Sequence, residues 1–157
     1  MSPILAPAYQ QALRDWILDQ LTAQSNLQVF DGAPDDTGPS LGYGSPSRNV
    51  VLDPDGRAHM YACLYAGAPS RGLDDERQSG RGGTRMATFQ VTAAGGDPDR
   101  CWRATEKVLN ALEGQRVPGG GLCRVVADPG LPRDDPSPPP SRSYIPLIFR
   151  VALGDAG

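Results

Sequence analysis

The alternating run at residues 144–153 restricts the fold of this chain more than any other segment. Apolar side chains occupy every second position: Ile145, Leu147, Phe149, Val151 and Leu153. Because successive side chains of a β-strand point to opposite faces, this spacing predicts a strand with one buried face. Pro146 and Arg150 fall on the other face. A proline has no backbone N–H, so Pro146 predicts either an edge strand or a position among the strand's first residues.

Other segments show strand signals of the same kind. Residues 85–93 alternate, with Thr88, Gln90 and Thr92 facing away from the apolar positions. Residues 49–52 and 58–66 flank the turn Asp53-Pro54-Asp55-Gly56, in which proline presets one dihedral and glycine allows a positive φ, so they predict a hairpin. Short apolar runs at 27–30 and 122–127 predict two more strands.

Two segments show the three-and-four residue spacing of an amphipathic helix. In residues 5–24 the apolar positions are Tyr9, Leu13, Trp16, Ile17 and Leu21. In the second helix they are Cys101, Trp102, Thr105, Val108, Leu109 and Leu112. Asp97 is suited to cap the start of the second helix, Pro98 to its first position and Gly114 to its C-terminal end.

These elements predict an α+β fold, a mostly antiparallel β-sheet with two helices packed on one face. A chain of 157 residues can bury one ordinary core, so we expect a single domain over residues 1–157. The 19 glycines and 16 prolines require much loop. We expect long loops near residues 31–48, 67–84 and 128–143, the last of them rich in proline.

Charge and cysteine content exclude several classes of function. The formal net charge of −3 and the pI near 5.0 argue against a sequence-specific nucleic-acid partner, because such domains carry an excess of Lys and Arg. The three cysteines are widely spaced, which fits reduced core thiols and a cytosolic folding compartment. No apolar stretch approaches the roughly 20 residues that span a bilayer, so we expect no membrane partner.

No combination of residues predicts a catalytic centre. His59 is the only histidine, and no nucleophile motif accompanies it. The thiols lack the C-x-x-C spacing of zinc and redox sites. Paired acids such as Asp53 and Asp55 lie in turns, and the glycine clusters lack the flanking strand and helix of a phosphate cradle. The sequence therefore predicts no enzyme activity and no catalytic, cofactor-binding or metal-binding residues.

The residues that stand out are candidates for protein contacts. The loop at 67–84 alternates arginines with an acidic stretch at 74–76, and it is either a solvated tip or a docking arm that makes charge-assisted contacts. The sheet face away from the helices is mixed in character, as faces that are solvated or covered by a partner are. The candidate assembly interface comprises seven residues from these two regions: Arg71, Arg77, Arg81, Arg85, Tyr61, Tyr65 and Arg150.

The order of these elements resembles the tail terminator family of tailed phages, particularly siphophage-like phages of actinobacterial hosts. The resemblance covers nearly the whole chain. It rests on the first amphipathic helix, the hairpin, the strand at 86–93 that runs into a helix, and three segments: Val29-Phe30-Asp31-Gly32-Ala33-Pro34, Arg133-Asp134-Asp135 and Tyr144-Ile145-Pro146-Leu147-Ile148-Phe149-Arg150-Val151-Ala152-Leu153.

The resemblance implies a non-catalytic subunit that forms a homohexameric ring on the end of the tail tube, stops tube polymerisation and joins the tail to the head. Its expected partners are further copies of itself, the major tail tube protein and a head-completion or neck protein. We expect it in the virion tail at the head-proximal end, after assembly in the host cytoplasm. A head-tail connector, neck or minor tail protein of the same fold is the alternative. A small enzyme that uses His59 and a free-standing binding module are the other classes.

Overall fold

The computed structural model describes residues 7–31, 50–65, 85–126, 129–135 and 141–153. The helices are α1 (Pro7–Thr22) and α2 (Pro98–Leu112). The strands are β1 (Gln28–Asp31), β2 (Tyr61–Tyr65), β3 (Arg85–Gly95), β4 (Gly120–Val125), β5 (Arg133–Asp135) and β6 (Arg142–Leu153).

The six strands form one sheet in the order β1-β2-β3-β6-β4, with β5 also paired to β6. All pairs are antiparallel except β1 with β2. The longest pair is β3 with β6, which runs without a break from Arg85↔Leu153 to Gly95↔Ser143. The prediction of an α+β fold with a mostly antiparallel sheet is confirmed, and the two strands with the clearest alternation form its centre.

The prediction that Pro146 marks an edge strand or a strand start is wrong. β6 lies inside the sheet, with β3 along one side and with β5 and β4 in succession along the other. On that second side β5 pairs only as far as Tyr144, and the next hydrogen bond is donated by Val126 to the carbonyl of Ile148. Pro146 lies between these two contacts, where a missing N–H removes no bond from the ladder.

The prediction that residues 128–143 form only a loop is also wrong, because β5 lies within it and β6 begins at Arg142. β5 consists of charged residues, which is why its sequence carries no strand signal. The free backbone groups of β6 recruit it, and such pairing depends on N–H and C=O groups and not on apolar side chains.

The predicted hairpin is reduced to a turn. Its first arm makes a single bridge, Leu52↔Ala58, around a turn in which the Gly56 N–H donates to the carbonyl of Asp53 at 2.8 Å. Gly56 has a φ of +82°, as the turn requires. β2 begins later, at Tyr61, and takes β1 as its neighbour on that side.

Both helices contribute to one core on one face of the sheet. The rings of Phe89 and Phe149 stack with their centroids 5.3 Å apart at the centre of this layer. Full burial of a side chain of this size contributes about 1.5–3 kcal/mol to folding. Trp102, predicted on the apolar side of α2, is 43% exposed. Other members of the core are Leu13, Ile17, Leu21, Leu64, Val91, Val108, Leu112, Ile145, Leu147 and Val151.

The ends of α2 are built as predicted. The Asp97 carboxylate accepts a hydrogen bond from the backbone N–H of Arg100 at 2.7 Å, and Pro98 occupies the first turn. At the other end Gly114 has a φ of +78° and donates its N–H to the carbonyl of Cys123 at 2.7 Å. The cap at Gly114 thereby turns the chain from α2 back towards the edge of β4.

Candidate assembly interface

The sheet face away from the helices carries mixed side chains, as predicted. We call it the outward face. β2 contributes Tyr61, Cys63 and Tyr65, whereas its alternate residues Ala62 and Leu64 lie in the core on the helix side. β3 contributes Thr88, Gln90 and Thr92, and β6 contributes Tyr144, Pro146, Ile148 and Arg150.

Apolar side chains lie in a row across the middle of this face. The register places Tyr65 opposite Gln90, Gln90 opposite Ile148, and Val126 beside Ile148. We call Tyr65, Ile148 and Val126 the apolar row. They are 41%, 45% and 45% exposed, respectively, although central strands usually cover such side chains. A row of this kind is typical of a surface that another protein covers.

Two arginines lie beside the apolar row. Arg150 is paired in register with Thr88 on one side and with Arg124 on the other, and both arginines are exposed. Like charges directly opposite each other on a sheet disfavour folding. Arg124 is partly compensated, because its Nη1 lies 3.3 Å from Oε2 of Glu113. This pair makes the rim of the outward face cationic.

A pocket of about 500 Å³ opens on the outward face where β2, β3, β5 and β6 meet. We call it the sheet-face pocket. Its base contains Arg142, which is buried and whose Nη1 donates to the hydroxyl oxygen of Tyr61 at 2.9 Å. The pocket is lined by Tyr61, Cys63, Tyr65, Gln90, Thr92, Ala94, Arg133, Asp135, Arg142, Tyr144 and Pro146.

Tyr61 and Tyr65 lie on the same face and line the same pocket, but only Tyr65 is exposed. Tyr61 is 4% exposed and its ring meets Phe30 edge-on, with centroids 6.0 Å apart. Burial raises the pKa of both tyrosines above 10.0. Their hydroxyls therefore stay protonated at neutral pH. Tyr61 shapes the pocket from within, and a partner would meet Tyr65 first.

The other predicted interface residues are placed as follows. Arg150 is exposed on the outward face. Arg85 begins β3 opposite Leu153, at the far end of the sheet from Arg142. Arg71, Arg77 and Arg81 lie outside the described residues, so the structure does not test the docking arm. Sequence reasoning missed Arg133 and Arg142, which lie in the segment read as a loop.

A second charged cluster joins α2 to the turn before β2, on a different part of the molecule. The Nε of Arg100 lies 2.8 Å from Asp53, and its Nη2 lies 2.9 Å from Asp55. Asp97 contacts both Arg100 and Arg57. The acidic pair Asp53 and Asp55 is thus neutralised by a guanidinium group. Within the described ranges, no three His, Cys, Asp or Glu side chains converge as metal ligands do.

His59 belongs to the same region and joins two other segments. Its Nδ1 lies 2.9 Å from Oδ1 of Asp53, and its Nε2 lies 2.9 Å from the carbonyl oxygen of Asn26. Both neighbours are hydrogen-bond acceptors, so the neutral ring donates to one of them and the protonated ring, with an N–H on each nitrogen, donates to both. Asn26 has a φ of +57°, a left-handed conformation that asparagine tolerates, in the turn between α1 and β1. His59 therefore connects the segment after α1 to the turn before β2.

The three cysteines are buried, which confirms their prediction as core residues. Burial raises the pKa of the Cys63 thiol to about 12, that of Cys101 to about 11 and that of Cys123 to about 12. A nucleophilic cysteine needs a lowered pKa, because the thiolate is the reactive form. None of the three has that environment.

Comparison with solved structures gives matches that include a fold neighbour covering almost the whole chain. It is a chain in a structure described as the virion of a native gene transfer agent particle, with a TM-score of 0.55 and 16% sequence identity, and the match covers 95% of this chain and 99% of that one. The two chains share a fold. A structure from Akkermansia muciniphila matches 94% of this chain and 76% of that one at 12% identity, but its TM-score of 0.35 supports no conclusion.

No protein-family model matches the sequence, and no curated protein matches it. Neither of the described helices has the length and apolar character needed to cross a bilayer.

Proposed function

We propose that this chain is a structural protein of a phage-like virion that closes the tail tube as a ring, stops tube polymerisation and provides the joint to the head. The observation that carries the proposal is the shared fold, which extends over 95% of this chain and 99% of a chain from a gene transfer agent virion. The similarity therefore extends over nearly the whole of both chains and is not confined to one shared segment.

The outward face supports a role in assembly. A ring of identical subunits uses two different patches of each subunit, so every copy must present surfaces that remain exposed in the isolated chain. The apolar row provides such a surface, with Ile148 45% exposed on the interior strand β6 and Val126 45% exposed just after the edge strand β4. The cationic rim at Arg150 and Arg124 gives it a polar border, as protein interfaces have.

The tail terminator role is the finer part of the proposal and rests on the order of elements in the sequence. A ring at the end of the tube would contact the major tail tube protein on one side and a head-completion or neck protein on the other. A related head-tail connector, neck or minor tail protein is the second candidate, because one fold can serve more than one joint of a particle.

Disruption of the encoding gene in the particle that uses it separates the two candidates. Loss of a terminator leaves tube growth unchecked, so electron micrographs would show tails of abnormal and variable length beside unattached heads. Loss of a neck protein would leave tails of normal length that fail to join heads. Normal, joined particles would contradict both candidates.

The ring itself is tested on purified protein by mass in solution and by negative-stain imaging, alone and with isolated tail tubes. We expect rings of six subunits, formed freely or on the tube ends. A chain that stays monomeric in both samples would contradict the proposal.

A further inference from the structure

The sheet-face pocket places a cation where a partner's side chain can reach it. Arg142 is 8% exposed and stands opposite Asp135 in the β5–β6 register, and Arg133 stands opposite Tyr144 in the same pairing. Desolvation of a guanidinium costs free energy that anionic oxygens offset. An arginine at the base of an open pocket is therefore well placed to receive an oxyanion as a further ligand.

The charges that line the pocket are cationic in balance. Two guanidinium groups, Arg133 and Arg142, oppose one carboxylate, Asp135. The remaining ionisable groups there are tyrosine hydroxyls and the Cys63 thiol, and burial holds the pKa of that thiol at about 12, so it remains neutral. The Tyr61 hydroxyl accepts a hydrogen bond from Arg142 and so keeps its own O–H as a neutral donor. A carboxylate that entered the pocket would meet donors and positive charge.

Size and surroundings indicate the kind of ligand. A volume of about 500 Å³ lies in the range of pockets that hold small organic groups and is ample for one acidic side chain. Tyr65 lines the pocket and also belongs to the apolar row, so a segment with an apolar residue beside its acidic residue would cover both. A nucleic-acid phosphate is a poorer match, since the whole chain carries a net charge of −3.

We propose that the sheet-face pocket receives the carboxylate of an aspartate or glutamate from an acidic segment of a different protein at the tail joint. Arg133 and Arg142 hold the two carboxylate oxygens, and Tyr65 at the pocket's edge packs against the neighbouring residues of that segment. This inference rests on the proposed function, because it assigns a docking point for the head-completion or neck protein that this function requires.

The pocket is tested first on the full chain without a partner. The isotopically labelled protein is titrated with N-acetylglutamate amide, followed by NMR, with N-acetylglutamine amide as the uncharged control and inorganic phosphate as a second anion. We expect saturable shifts of the Cys63, Thr92 and Tyr144 amides with the glutamate probe and none with the glutamine probe. Equal shifts with both probes, no shifts, or tighter binding of phosphate would overturn the proposal.

Substitutions test which residues of the sheet-face pocket bind the glutamate probe. Arg133→Ser removes an exposed guanidinium and should weaken binding of the glutamate probe by about threefold or more. Arg103→Ser is the matched control, because Arg103 is exposed on α2 and pairs only with Asp99 among the ion pairs described. Arg142→Lys keeps the charge but loses the planar fork, and should also weaken binding. Unchanged affinity in Arg133→Ser would overturn the assignment even if the Arg142 variant fails to fold.

Assembly experiments distinguish failure of the pocket from failure of the proposed function. In the particle, Arg133→Ser should leave tail length normal and reduce head joining, since the tube contact is intact. If Arg133→Ser alters the mass of the ring, a second copy of this chain fills the pocket. That result would overturn the proposal that a different protein supplies the carboxylate. If the glutamate probe fails to bind while gene disruption gives long tails, only the proposed role of the pocket is contradicted. If the probe binds while gene disruption leaves normal particles, only the proposed function is contradicted.

Discussion

The guanidinium Nε of Arg100, in the first turn of α2, lies 2.8 Å from Oδ2 of Asp53 in the turn before β2. The same side chain reaches Asp55, and it contacts Asp97 three residues earlier on the chain. One arginine thereby joins a helix start to a turn that makes only a single β-bridge, Leu52↔Ala58. This relationship fixes how the segment before β2 lies against the rest of the fold.

Replacement of Arg100 by methionine should lower the free energy of unfolding by about 1–2 kcal/mol, because it takes one cation away from the partly buried carboxylates of Asp53 and Asp97. Urea unfolding followed by circular dichroism measures the change. Arg103→Met on the same helix is the control, since Arg103 has 66% of its side chain exposed and should cost less than about 0.5 kcal/mol. Equal losses in the two variants would contradict the role assigned to Arg100.

Acid should weaken the same cluster. Burial by itself raises the pKa of Asp97, but the backbone N–H of Arg100 and the charges of Arg100 and Arg57 outweigh it, so the pKa lies below 3.8. The pKa of Asp55 is also lowered, chiefly by the hydrogen bond from the Arg57 N–H. Such carboxylates stabilise the fold above pH 3.8 and lose that effect as pH falls through their folded-state values.

The measurement for this prediction is the melting temperature between pH 7 and pH 3. We expect a fall below about pH 4 in the parent protein and a shallower fall in Asp97→Asn, which has no carboxylate to protonate. An identical pH profile in the two proteins would show that Asp97 does not contribute.

The cysteines should be unreactive in the folded protein. Their thiols are buried, and the pKa values of about 12, 11 and 12 leave almost no thiolate at pH 8. With a thiol-reactive chromogenic disulfide we expect labelling about a hundredfold slower than that of free cysteine, and three rapidly labelled thiols after denaturation. A thiol that labels in the folded protein at the rate of free cysteine would contradict this description.

Gly96 should tolerate no side chain. A Cβ there would lie 2.5 Å from Cβ of Arg57 and 2.6 Å from the backbone nitrogen of Ala58. Gly96→Ala should therefore cost about 2–3 kcal/mol, because backbone atoms would have to move. Gly56→Ala is the comparison, because a Cβ at Gly56 would meet open space. The only cost there is the strain of an alanine at a φ of +82°, about 1 kcal/mol. A smaller loss in Gly96→Ala than in Gly56→Ala would show that the close approach is relieved by a small shift.

Ile148→Asp should abolish assembly without unfolding the chain. Ile148 is 45% exposed on the outward face, so the charge stays solvated in the monomer, with a stability change within about 0.5 kcal/mol, but would be buried by a partner. Val51→Asp is the matched control, because Val51 is 55% exposed away from the sheet. Mass in solution and binding to tail tubes are the readouts. Unchanged assembly of the Ile148 variant would remove the apolar row from the interface.

Local sequence signals were sufficient to predict an element wherever one physical cause dominates its formation. Alternation over residues 85–93 and 144–153 identified the two central strands because the period of two survives any tertiary arrangement. The Asp97 cap and the Gly114 stop were read correctly because both satisfy helix-end groups from within a few residues. The burial of the thiols was predicted from their positions in these elements.

The candidate site was predicted only in part. The side alternation of β2 placed Tyr61 and Tyr65 on the outward face, but their different exposure depends on Phe30 and Arg142, which are distant in sequence. β5 was missed because a strand of charged residues has no apolar pattern, and its pairing depends on the free side of β6. The carboxylates that pair with Arg100 were also missed, because they lie 45 and 47 residues away from it in the sequence.

The sequence by itself determined both helices and the central strands β3 and β6, because propensity, periodicity and capping act over a few residues. Only the tertiary structure decided that Pro146 lies inside the sheet, that Arg100 holds the turn at Asp53, and that Arg142 ends at the base of a pocket. Those outcomes depend on which strands become neighbours and on the free energy of burying or pairing each charge. Neither can be predicted from a few neighbouring residues in the sequence.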